Sequence, residues 1–225
     1  MTRTEHRWKE IPGNMDKLNT FNFFETDNEY GIPLVKKQKV KPEWLVPFGQ
    51  RIRTEKELRK GCYHFFLDDY RFEHVWNRPY DTLSVIEKVG NTLTPDFSLY
   101  TNYPLAMQIW NTYRNRWLGA FWQSLDINVI PTICWSDEKS YDFCFKGVEK
   151  GSTVAISIVS SKKAGSAFVN GFIEMLNEIE PKLILCYGES CPFNLEKYLI
   201  DDQKITYYPS YWKSIRDAMK KKGGK

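Results

Sequence analysis

No stretch of this sequence is apolar for long enough to cross a membrane. The longest largely apolar runs, such as 155–159, fall far short of the roughly 20 residues that a membrane helix needs. The opening segment, Met1 to Trp8, is polar and charged, so it is not expected to be a secretory leader. A cytoplasmic protein with no membrane partner is the expectation. Cysteine is scarce, with 5 in 225 residues, and the odd count argues against a disulfide framework. No Cys-x-x-Cys is present, and neither Cys62-Tyr63-His64 nor the Cys186/Cys191 spacing matches a zinc site. The three-cysteine cluster of a radical enzyme is missing too. Histidine is scarcer still, at 3. His64 falls inside a strand-like run and His74 in a polar turn, so both read as structural. Glycine is missing where phosphate loops need it: neither a Walker A loop nor a dinucleotide fingerprint occurs. There is no internal repeat.

What is present is a heavy aromatic load, 16% of residues with 8 Trp, enough for one domain with a sizeable core. The net charge of +4 is unevenly spread. Residues 1–60 carry 13 Lys and Arg against 9 Asp and Glu, residues 61–209 carry 13 against 18, and residues 210–225 carry 6 against 1. The centre is acidic and the ends are basic.

Residues 1–60 alternate short apolar pieces with proline and charge, and Pro33, Pro42 and Pro47 argue against a helix. An irregular basic arm packing on the core through its aromatics is expected there. From Gly61 a βα rhythm begins. Strands are expected at 62–67, at 92–94 or 97–100, at 127–134, at 153–159, at 183–187 and at 205–208. Helices are expected at 80–89, at 104–124, at 166–179 and, briefly, at 193–199. Apolar runs between helices imply a parallel sheet covered on both faces. The fold class is therefore α/β, a parallel-stranded βα-repeat core of five or six strands, either an open sheet or an incomplete TIM-like barrel. A basic helix and tail close the chain at 210–225.

Several strings stand out along this core: Phe65-Phe66-Leu67-Asp68-Asp69-Tyr70-Arg71-Phe72-Glu73, Trp76-Asn77, and Pro95-Asp96-Phe97-Ser98-Leu99-Tyr100. Tyr113-Arg114-Asn115-Arg116-Trp117-Leu118-Gly119, Val129-Ile130-Pro131, Trp135 and Tyr141-Asp142-Phe143-Cys144-Phe145 follow, then Gly171-Phe172-Ile173-Glu174 and Tyr187-Gly188. In these residues, over roughly 30–190, the chain resembles the family catalogued as domain of unknown function 4417. That resemblance implies a phage, prophage or mobile-element setting, and a host-cell cytoplasm as the place of action. It carries no catalytic residues.

The residues that could carry chemistry gather at strand ends, where parallel α/β proteins place ligands. Asp68 and Asp69 close the first expected strand, and Glu189 follows Tyr187 and Gly188 at the fifth. Asp96 joins them if the second strand is 92–94 and drops out if it is 97–100. Converging carboxylates suit acid–base work or Mg²⁺; their bland alternative is pairing with Arg71 or Arg78 and turn capping. Adjacent Asp68 and Asp69 cannot both point the same way along a strand. Trp135 ends the third strand. The segment Ser160-Ser161-Lys162-Lys163-Ala164-Gly165-Ser166 precedes a helix, and a helix N-terminus with lysines and hydroxyls suits phosphate; the bland alternative is a solvated loop with a serine cap. The leading expectation is a protein that binds or acts on a phosphorylated small molecule, a nucleotide by class. Two rival readings stand beside it. One is a nucleic-acid module using Arg114 and Arg116 among aromatics, with Lys220, Lys221 and Lys222 in the tail. The other is a host-protein binder presenting Trp44 and Phe48.

Overall fold

The computed structural model describes residues 18–50, 60–210 and 213. Its elements in chain order are β1 (Trp44–Pro47), β2 (Gly61–His64), α1 (Glu73–Asn77), α2 (Leu83–Val89), β3 (Asn91–Leu93), α3 (Leu105–Gln123), β4 (Asn128–Ile130), α4 (Tyr141–Cys144), β5 (Thr153–Ser157), α5 (Ser161–Ala164), α6 (Ser166–Ile179), β6 (Leu183–Tyr187) and β7 (Lys204–Tyr208), with short 3-10 turns between some of them. The fold is α/β, and every paired strand is parallel. Strands run in sequence order as a four-stranded sheet, β1-β2-β3-β4, and a three-stranded sheet, β5-β6-β7. Seven strands among the described residues replace the five or six expected.

The extra strand is β1. Pro42 and Pro47 bracket it, and proline is tolerated on an edge or at a strand end. Trp44–Pro47 pairs with Gly61–His64 in register, so this part of the expected arm belongs to the sheet. The expected strand at 127–134 divides for a related reason. Pro131 has no N–H to donate, and the chain changes partner there. Ile130 O accepts from Thr94 N on the β3 side (3.0 Å), whereas Pro131 O accepts from Ala155 N (2.9 Å) and Ile133 N donates to Ala155 O (2.8 Å). The Thr132–Ala155 bridge thus joins the two sheets. The expected helix at 193–199 shrinks to a single 3-10 turn, Glu196–Tyr198, as a short isolated segment cannot offset helix nucleation.

Helices form where the sequence is periodic. In α6, Phe168, Val169, Phe172, Met175, Leu176 and Ile179 recur at helical spacing and are buried. Helix α3 begins directly after Pro104 and is buried along most of its length, polar residues included. Helix α2 ends on Gly90 at φ 73°, a left-handed position that glycine adopts without cost.

Three buried clusters result. Rings dominate the one against β1–β4, including Phe65, Phe72, Trp76, Trp117, Phe121 and Trp122. Aliphatic residues dominate the one against β5 and β6, including Val154, Ile156, Met175, Leu176, Ile179 and Ile184. A third holds one buried residue from each of β2 to β7, Cys62, Leu93, Ile130, Ala155, Leu185 and Tyr208, with Leu45 of β1 and Leu183 of β6 packed against it. The ends of β2 and β6 also meet, His64 lying 4.3 Å from Tyr187 between ring centroids. Tyr208 donates its hydroxyl to Pro42 O (2.6 Å), bringing the end of β7 to the residues just before β1.

Candidate functional site

One cavity of about 750 Å³ opens at the carboxyl ends of β2, β3, β4 and β5. The turn after β2 contributes Phe66, Leu67, Asp68 and Arg71. The loop after β3 contributes Asp96 and Ser98 to Thr101, and the segment after β4 contributes Ile133 to Ser136. From β5 onward come Ser157, Val159, Ser160, Ser161 and Lys163, with Ala167 and Phe168 of α6. The volume lies within the range of small-molecule sites. Two carboxylates, Asp68 and Asp96, and two cations, Arg71 and Lys163, line the same space.

A polar chain fixes the β3 loop. The Asp69 carboxylate accepts from Ser98 N (3.1 Å) and Ser98 Oγ (2.8 Å). Ser98 O accepts from Asn111 Nδ2 (2.7 Å), whose Oδ1 accepts from Arg114 Nη2 (2.6 Å). Arg114 in turn pairs with Glu73 (2.5 Å) and lies 3.9 Å above the Phe97 ring. Asp69 therefore holds the loop that carries Asp96, while its neighbour Asp68 reaches the cavity. The β4 loop is held similarly: Ser136 Oγ donates to Gln108 Oε1 (2.6 Å), and Gln108 Nε2 donates to Tyr103 O (3.0 Å).

Asp96 is the unusual group. Because the second strand is Asn91–Leu93, Asp96 lies beyond its carboxyl end, on the cavity side. Its Oδ1 is buried with no hydrogen-bond partner. Burial pushes its carboxyl up to about 7; the Cys134 thiol beside it works the other way and the nearby Asp69 charge adds to the rise. Burial likewise pushes the Cys134 thiol well up, and the Asp96 charge adds to it, so this thiol is not an activated nucleophile.

The phosphate segment is built differently from expectation. A single-turn helix, α5, interrupts the anticipated loop, and Gly165 (φ 61°, ψ −134°) breaks it from α6. Ser161 is buried with its hydroxyl donated to Ile158 O (2.7 Å), which makes it a brace. Ser160 and Lys163 line the cavity, as does the first turn of α6 through Ala167 and Phe168; Lys162 does not. Trp135 forms a wall, 5.4 Å from the Phe168 ring, on a helix face left open by Gly171.

Several expected site residues lie elsewhere. Tyr187 is buried and stacks on Phe66 at 5.0 Å, so it backs the wall. Gly188 sits at φ 149° close against Ile158, where a Cβ would come within 2.6 Å of Cγ1. Glu189 accepts from Ser210 Oγ (2.8 Å) and is not among the lining residues. Among the described residues no group of three or more His, Cys, Asp or Glu is placed to hold a metal; of the four candidate carboxylates, Asp68 and Asp96 line the cavity and Asp69 and Glu189 do not.

Arg114 and Arg116, expected on a nucleic-acid face, are buried, with Arg116 2% exposed. The Arg116 guanidinium donates to Lys146 O, Asn115 Oδ1, Thr132 O and Cys144 O at 2.5–3.1 Å. The helix bearing them packs on both sides, which removes the solvent-facing stripe that reading needs. Lys220, Lys221 and Lys222 lie outside the described residues. Of the arm aromatics, Phe48 is buried and Trp44 packs over Gly61.

Sequence reasoning did not single out Ser98, Cys134 or Ser157 as cavity residues. Ser157 is the last residue of β5 and the other two lie beyond the ends of β3 and β4, so position at or past a strand end was the available signal. Arg71 was weighed only as a partner for an aspartate.

The arrangement is that of a parallel α/β protein with a ligand-sized cavity at its strand carboxyl ends. The chain belongs to the family described as domain of unknown function (DUF4417), whose model matches residues 24–209. It is similar to the Gene 1 protein of Mycobacterium phage L5, at 43% identity over 94% of this chain and 92% of that protein. It is also similar to the Gene 1 protein of Mycobacterium phage D29, at 40% identity over 96% of this chain and 82% of that protein. No solved structure matches it. No helix among the described residues is long and apolar enough to cross a membrane.

Proposed function

We propose that this chain is a phage or mobile-element accessory protein, acting in the host cytoplasm, that binds or acts on a phosphorylated small molecule of nucleotide class. The observation that carries the reading is the cavity, in which Lys163, Ser160 and Arg71 share one space with the first turn of α6. A helix N-terminus presents unpaired N–H groups and partial positive charge, so with two cations it suits a phosphate. Asp68, on the same turn as Arg71, and Asp96, on the loop after β3, supply acid–base contacts. Mg²⁺, where it takes part, would be held by Asp68 together with the ligand's own phosphate oxygens.

The architecture supports this reading when taken as an incomplete TIM-like barrel. Seven parallel strands follow sequence order, each contributes to the third cluster, and His64 of β2 meets Tyr187 of β6. In such barrels ligands bind at the strand carboxyl ends.

Titration calorimetry with inorganic phosphate, ribose 5-phosphate and nucleoside 5′-monophosphates tests the proposal. Lys163→Ala should weaken every phosphorylated ligand about tenfold, the scale of one charge-assisted hydrogen bond. No binding at millimolar concentration, or equal binding by the variant, would overturn it.

A further inference from the structure

We infer that Asp96 selects the ligand by accepting a hydrogen bond from a nucleobase N–H, which makes that ligand a nucleoside phosphate. The inference rests on the phosphate-binding reading above and assigns the other end of the same cavity.

Three carboxylates stand near the cavity, and their geometry separates them. Asp69 is committed to Ser98 through both oxygens. Asp68 is exposed, where water satisfies it. Asp96 alone combines a cavity position with a buried oxygen, Oδ1, that has no hydrogen-bond partner. Buried polar atoms are nearly always paired, and an orphan calls for a partner that arrives later. The walls beside it indicate the shape of that partner. Phe66, Tyr100, Trp135 and Phe168 present rings to the cavity, surfaces that suit a flat base better than a sugar rich in hydroxyls.

The charged and titratable groups facing Asp96 are known. Asp69 stands on the β2 side and Cys134 on the β4 side, with Asp68, Arg71 and Lys163 around the cavity and Arg114 of α3 above the adjoining Phe97 ring. Burial and Asp69 hold the carboxyl near 7. The ionised carboxylate accepts from an N–H more strongly than the neutral acid does, so nucleotide binding should weaken as the pH falls through 7.

The experiment compares the full-length chain with Asp96→Asn by calorimetry, using inorganic phosphate, ribose 5-phosphate and the four common ribonucleoside 5′-monophosphates. At least one nucleotide should bind about tenfold or more tighter than ribose 5-phosphate. Asp96→Asn should lower the ratio of nucleotide to ribose 5-phosphate affinity about tenfold, a hydrogen bond to a charged group being worth about that factor or more. For the wild type, the ratio of nucleotide to ribose 5-phosphate affinity should fall about tenfold between pH 8 and pH 6. The ratio cancels protonation of the phosphate itself, whose second pKa is about 6. This second measurement decides the matter if Asp96→Asn does not fold. A flat ratio, or an equal loss for ribose 5-phosphate, overturns the inference and leaves phosphate binding standing. Failure of every phosphorylated probe overturns both.

Discussion

The two halves of the molecule, one on each sheet, are filled by different chemistry. Against β1–β4 the core is built from rings, with Trp76 5.4 Å from Trp117 edge-on and Phe65 6.0 Å from Trp122 stacked. Against β5 and β6 it is built mainly from branched and straight aliphatic chains under one amphipathic helix, α6. A ring fills much volume with few residues and holds its neighbours by edge and face geometry. The ring-packed half can therefore be assembled from very short pieces, such as the five-residue α1 and the three-residue β3. An aliphatic core needs many contacts in regular order, and β5, α6 and β6 are correspondingly regular. The cavity draws its walls from both halves, so its shape depends on how they are joined.

Arg116 makes that join, and breaking it should have the largest effect. From α3 in the ring-packed half it donates to the carbonyls of Thr132, Cys144 and Lys146, on the segments where the chain passes to β5. Burial lowers its pKa only to about 10, so it stays charged at neutral pH. Arg116→Met keeps the length of the side chain but leaves buried carbonyls unpaired. The expected cost is about 3–5 kcal/mol, read as a lower urea midpoint. A loss below about 1 kcal/mol would mean that the halves hold together without it.

A second join should matter less, and chiefly in acid. His64, at the end of β2, is fully buried against Tyr187 of β6; its Nδ1 accepts from Phe66 N (3.2 Å) and its Nε2 has no partner. Burial pushes its pKa down to about 3. The folded state then binds fewer protons than the unfolded state between that value and the ordinary 6.5, so stability is complete above about 6.5 and is lost as the pH falls. At about 1.4 kcal/mol per pH unit, the loss reaches about 3 kcal/mol by pH 4. In His64→Leu this part of the acid limb should disappear from unfolding curves collected between pH 7 and pH 4, and an unchanged slope would show that His64 does not titrate there.

The same contrast decided what was legible in the sequence. Residues 183–187 and 166–179 were placed correctly because their apolar spacing is unambiguous, and Asp68, Asp96, Trp135, Ser160, Ser161 and Lys163 were brought to the cavity because they follow strands. In the ring-packed half only α3 shows its period, with Trp110, Tyr113, Trp117 and Phe121 recurring on one face; β3 and α1 are too short to show one, and Trp44–Pro47 is too short and too rich in proline at its ends to show alternation. Long-range polar contacts left no trace either. Nothing local reveals that Asp69 holds Ser98, or that Arg116 turns inward to carbonyls 16 to 30 residues away.

A pair of glycines, one in each half, separates stability from the cavity. Gly119 of α3 lies where a Cβ would come within 2.7 Å of Val35 Cγ2 and 2.8 Å of Thr94 Cγ2; Gly171 of α6 lies where it would come within 2.2 Å of Trp135 Nε1. Overpacking of this kind costs about 1–3 kcal/mol, partly offset by the better helix propensity of alanine. Gly119→Ala and Gly171→Ala should therefore lower the unfolding midpoint to a similar degree. Their effects on the cavity should differ, because Val35 and Thr94 are not lining residues, whereas Trp135 is. Trp135 lines the cavity, so an indole pushed from its seat on α6 should obstruct the space that Lys163 and Asp96 share. Binding of nucleoside monophosphates should fall about tenfold in Gly171→Ala and stay within about twofold in Gly119→Ala, a difference of about 1.4 kcal/mol in binding free energy. Equal loss in both would place the coupling between fold and cavity in the sheet as a whole, and not in the contact between Trp135 and Gly171.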